Sequence, residues 1–61
     1  MEKEIIKQKN GETIEVTAVS EWPGGQWMSE IYSAEGWLLW HAGYFGDAKT
    51  AYNAAVTSTR R

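Results

Sequence analysis

Gln26-Trp27-Met28-Ser29-Glu30-Ile31-Tyr32-Ser33-Ala34-Glu35-Gly36-Trp37-Leu38-Leu39-Trp40-His41-Ala42 is the stretch on which the fold turns. Two strand-like runs, residues 26–33 and 37–42, flank Ser33-Ala34-Glu35-Gly36, a sequence suited to a tight turn. Side chains alternate across a strand, so the first run divides into Trp27, Ser29 and Ile31 on one side and Met28, Glu30 and Tyr32 on the other. The second divides into Trp37, Leu39 and His41 against Leu38, Trp40 and Ala42. A strand with one wet face alternates apolar with polar, and this one is apolar both ways.

Upstream, Asn10-Gly11 sits between two further strand-like runs and suits a two-residue type I′ hairpin, in which both central residues need positive φ. That register predicts Lys9 opposite Glu12 and Ile5 opposite Val16, with Ile5, Ile14, Val16 and Ala18 on one face. Lys7 falls on the same face as Ile5, which suits an edge strand, where lysine blocks pairing and its stem can snorkel. Residues 3–9 are therefore expected as an edge strand and 12–19 as its neighbour. Pro23-Gly24-Gly25 marks the loop to the third strand.

Downstream, Gly43-Tyr44-Phe45-Gly46 interrupts the strand pattern and Asp47 is a good helix N-cap. From there Ala48, Ala51, Tyr52, Ala55, Val56 and Thr59 recur at helical spacing. A helix over 47–59 is predicted, with Arg60 and Arg61 beyond it, where positive charge suits a helix C-terminus. Short links between four strands favour a meander. The expected fold is α+β: one domain over 1–61, an antiparallel three- to four-stranded sheet (ββββα), and one C-terminal helix packed on one face.

Composition narrows the function. A chain of 61 residues forms one domain with a thin stability margin. With no cysteine and one histidine, zinc sites of the Cys/His type, disulfides and Cys–His nucleophile pairs are excluded. His41 has no carboxylate at a recognisable catalytic spacing, and a sheet histidine bonded to a neighbour or to water is the simpler reading. The glycines lack the Lys-Ser/Thr that completes a phosphate loop. No catalytic residue, cofactor or metal ligand set is expected. A net charge of −2 is not the balance of a non-specific nucleic-acid binder. The charged start and the short apolar runs match neither a leader nor a membrane span, so a cytoplasmic protein is expected.

One helix shields one side of a sheet. With Ile14, Val16, Ile31 and Leu39 taken as the core face, Met28, Glu30, Tyr32, Leu38 and Trp40 form the open face, with Trp22 at its rim. Tyr, Trp and Met are enriched at interfaces. The competing reading, that most of these aromatics are internal packing, carries equal weight.

Gln26-Trp27-Met28-Ser29-Glu30-Ile31, Trp40 with Gly43 and Phe45, Asp47-Ala48, and Ala51-Tyr52-Asn53-Ala54-Ala55 together resemble the AP2/ERF domain and the related arm-binding domains of phage-type integrases. The resemblance spans roughly residues 16–58. It implies three antiparallel strands on one helix, with the sheet laid in the DNA major groove and Glu30 and Trp40 facing the DNA. That family's DNA-facing strands carry arginines; here Tyr32 stands in such a position, and no arginine precedes Arg60.

The expected function is a small non-enzymatic binding or regulatory module, of the kind a phage or mobile element encodes. Trp22, Met28, Glu30, Tyr32, Leu38 and Trp40 would bind a protein partner or a second copy as a homodimer. The alternative is sequence-specific DNA binding through Glu30, Tyr32, Trp40, Arg60 and Arg61.

Overall fold

The Ser33-Ala34-Glu35-Gly36 segment folds as a type I turn closed by a glycine in the left-handed region. The Gly36 N–H donates to the Ser33 carbonyl (2.9 Å), the Ser33 N–H donates to the Trp37 carbonyl (2.8 Å), and Gly36 has φ +93°. In the computed structural model, which describes residues 2–21 and 23–59, this turn joins the third and fourth strands of an antiparallel meander. The elements are β1 (Lys3–Lys7), β2 (Thr13–Ala18), β3 (Trp27–Tyr32), β4 (Leu38–Phe45) and α1 (Ala48–Thr59). The sheet order is β1-β2-β3-β4, and α1 lies across β2, β3 and β4.

The Asn10-Gly11 hairpin departs from the expected two-residue turn. The Gln8 N–H donates to the Glu12 carbonyl (2.7 Å) and the Gly11 N–H to the Gln8 carbonyl (3.1 Å). Gly11 has φ +90°, whereas Asn10 is not among the positive-φ residues. This is the three-residue loop, a type I turn followed by a left-handed glycine. It has the same build as the β3–β4 turn. The Asn10 Oδ1 accepts the Glu12 N–H at 2.9 Å, the local side-chain bond that asparagine makes in turns.

One extra loop residue moves the β1–β2 register by one, and a one-residue slip turns a strand over. Ile6 pairs with Ile14, and Ile5 pairs with Glu15 rather than Val16. Ile6 therefore shares the side of Ile14 and Val16, while Ile5 goes to the opposite side with Lys3 and Lys7. The slip takes both lysines off the buried side, which is the physical reason for preferring it.

A second slip corrects β4. Tyr32 pairs with Leu38, but Ile31 pairs with Trp40, Glu30 with His41 and Ser29 with Ala42. Leu39 is the additional residue, a bulge that reverses the facing of everything after it. Trp40, expected on the open face, instead packs against the buried cluster. A further irregularity precedes the Trp27–Phe45 pair, beside Tyr44, which has φ +67°.

The core consists of Ile14, Val16, Ile31, Ala51 and Ala55, with Trp27, Trp40, Phe45, Ala48, Tyr52 and Val56 packed around it. The central row Ile6–Ile14–Ile31–Trp40 crosses all four strands. Below the helix, Ser29 is fully buried on the same side. Small side chains at Ser29, Ala51 and Ala55 let helix and sheet approach closely.

Gly11 supports a prediction. A Cβ there would sit 3.3 Å from the Cβ of Ala34, so the two turns touch at one end of the sheet; Gly36 has open space around it. Gly11→Ala is expected to cost about 1 to 2 kcal/mol from the left-handed backbone alone. Thermal unfolding should show Gly11→Ala losing more stability than Gly36→Ala. Equal losses would mean that the turns do not touch.

The start of α1 is capped as the sequence implies. The Thr50 N–H donates to the Asp47 Oδ1 at 2.7 Å. That backbone bond is the main reason the Asp47 carboxyl titrates below its ordinary 3.8. A carboxylate with a depressed folded-state pKa adds stability above the unfolded value, and that stability is lost as pH falls through the folded value. Acidification below 3.8 should therefore destabilise the chain more than it destabilises Asp47→Asn, which keeps a capping oxygen and does not titrate. Parallel acid titrations followed by helical circular dichroism test this; superimposable curves would mean that ionisation of Asp47 does not stabilise the helix start.

Candidate functional site

The helix covers one side of the sheet, and three cross-strand rows make up the other. Lys3, Thr17 and Met28 form one row. Ile5, Glu15, Glu30 and His41 form the second, and Lys7, Thr13, Tyr32 and Leu38 the third. Ile5 is 62% exposed and Leu38 50%, and Trp37, just beyond the strand end, is 71% exposed.

The centre of this face is acidic and cross-linked. Glu15 and Glu30 lie directly opposite one another, an unfavourable arrangement for two carboxylates. Each has a partner. The Lys3 Nζ is 3.1 Å from the Glu15 Oε1, and the Tyr32 hydroxyl donates to the Glu30 Oε2 at 3.0 Å. The bond to Glu30 is the first cause holding the Tyr32 phenol above its ordinary 10.0, because it favours the protonated form. Tyr32 is thus positioned with its ring across the face and its hydroxyl committed.

Of the residues expected to form a contact surface, Met28, Glu30, Tyr32 and Leu38 come together on this face. Trp40 does not, because of the Leu39 bulge. Trp22 at the rim, and Arg60 and Arg61 of the DNA alternative, lie outside the described residues. Ile5 and His41 belong to the face and were not expected there. The available signal was Lys7: two lysines on an assumed core face argue for the shifted register.

Glu30 opposite His41 is the nearest approach to paired titratable chemistry, and it lies on an open surface. Among the described residues, no three His, Asp or Glu side chains form a group able to hold a metal ion, and no helix is long and apolar enough to cross a membrane. On the helix side, α1 leaves β1 uncovered. A groove of about 470 Å³ runs there, floored by Ile6 and Val16, walled by Ala48 and Tyr52, with Glu4 and Lys49 on its banks.

Fold and surface together define a small α+β domain with a helix packed across three strands of one sheet face and, among the described residues, no element covering the other. Comparison with protein-family models, with curated proteins and with solved structures finds no match to this chain.

Proposed function

We propose that this chain is a small non-enzymatic binding module that docks a protein partner on the bare sheet face. One observation carries the reading: Ile5, Met28, Tyr32 and Leu38 lie opposite the helix, around a Glu30–Tyr32 pair already fixed by a hydrogen bond. Apolar and aromatic contacts give such a surface its affinity, and a preset polar pair gives it orientation without further ordering cost. The charges present, Lys3 and Lys7 against Glu15 and Glu30, are balanced, which favours a protein over a polyanion.

DNA binding in the manner the family resemblance implies has less support. The lysines of this face sit on the outermost strand and carboxylates occupy its middle, so the phosphate-neutralising term is small.

The test is capture by the immobilised chain and by Tyr32→Ala and Leu38→Ala, with Lys49→Ala on the opposite side as control. A partner retained by the control and lost by both face variants is the expected result. Retention of every captured protein by both face variants overturns the proposal. A mixed duplex pool that binds at low salt and releases steeply with added salt would instead favour DNA.

A further inference from the structure

The two outer edges of the sheet are built differently. β1 carries Lys3, Glu4 and Lys7 in five residues, the charged edge that keeps other strands away. β4 is the other terminal strand and the longest, and none of the chain's charged residues lies in its eight positions, LLWHAGYF. Among the described residues, β3 is its one strand neighbour. Its irregularities fall near its ends, at Leu39 and beside Tyr44, and leave residues 40–42 in regular pairing with β3.

We infer that β4 pairs antiparallel with β4 of a second copy about a two-fold axis near His41. The sequence of the edge is self-complementary in that direction. Its apolar end, with Leu38 and Leu39 about half exposed and Trp37 71% exposed, runs against the aromatic end of the other strand, where Tyr44 is 66% exposed. Trp40 meets the partner's Ala42, and both lie on the helix side, so the pleats of the two strands agree. No charged group is buried in the joint, and the interface is the same patch on both subunits, as a two-fold dimer requires. The outcome is an eight-stranded sheet with both helices on one side. The two bare faces then become continuous on the other side, doubling the surface offered to a partner. The bare face and this edge share Leu38 but differ at Tyr32 and Leu39, so variants at those two positions let either inference fail without the other.

Sedimentation equilibrium of the full chain from micromolar to millimolar concentration tests the pairing. The expected result is a rise from 6.9 kDa towards twice that mass. Leu39→Lys should weaken the association about tenfold or more, because a symmetric joint carries each substitution twice and brings charge to a bare edge. Tyr32→Arg, on the bare face, should dimerise as the unaltered chain does. Amide exchange on the unaltered chain supplies a readout that needs no variant: β4 amides should slow with rising concentration while β1 amides do not. A constant 6.9 kDa mass overturns the inference. So does association lost in Tyr32→Arg and kept in Leu39→Lys, which would indicate face-to-face stacking.

Discussion

Ile14→Ala should remove about 3 kcal/mol of stability, a typical cost for truncating a fully enclosed branched side chain. Ile14 has no exposed surface and stands mid-row between Ile6 and Ile31, against the helix alanines. The loss combines the transfer energy of the missing methyl groups with the cavity they leave. A chain of this size has only about 3 to 9 kcal/mol in total. The variant should therefore keep about 0 to 6 kcal/mol, and its midpoint in a urea titration followed by tryptophan fluorescence should fall well below that of the unaltered chain. A midpoint within error of the unaltered chain would mean that the central row is not the core.

Trp40→Ala should cost about 2 to 3 kcal/mol, less than for a fully enclosed tryptophan because Trp40 is only half-buried. The comparison with Tyr32→Ala is the informative part. Both residues are aromatic and lie near the same end of neighbouring strands, yet the Leu39 bulge sends them to opposite sides. Tyr32→Ala gives up a half-buried ring that lies outside the core cluster and one part-buried hydrogen bond, so its effect should stay near about 1 kcal/mol. If chemical denaturation shows Trp40→Ala as mild as Tyr32→Ala, Trp40 belongs to the bare face after all. A binding defect in Trp40→Ala then has a different meaning from one in Tyr32→Ala, because instability alone would produce the first.

The strand order and the helix are legible from local signals. Asp47 as a cap, the spacing of Ala48, Ala51, Tyr52 and Ala55, and the Pro23-Gly24-Gly25 and Ser33–Gly36 breaks each act over a few residues. The faces of the outer strands are not, because facing depends on parity and a single extra residue reverses it. Asn10-Gly11 is compatible both with a two-residue loop and with a three-residue loop ending in a left-handed glycine. Choosing between them requires asking where Lys3, Ile5 and Lys7 go once Ile6 is buried. Around Leu39 there is no glycine to mark the bulge. What favours it is the bulk of Trp40, which fills more of the space beside Ile31 than Leu39 would, and this is a property of the assembled sheet. The candidate site inherits this pattern: the third-strand members Met28, Glu30 and Tyr32 could be read in advance, whereas Ile5, His41 and the loss of Trp40 could not.

Because α1 rests on β2, β3 and β4, the first strand is held by its ladder to β2 and little else. It is the natural unit of sub-global opening, the part whose amides should exchange with solvent at the lowest free energy while the three-stranded remainder stays shut. Such opening would uncover the outer side of β2 and dismantle the groove, since its Glu4 and Ile6 belong to β1; the molecule thus carries a detachable strap whose hold depends on a few hydrogen bonds, the Lys3–Glu15 pair and one half-buried isoleucine.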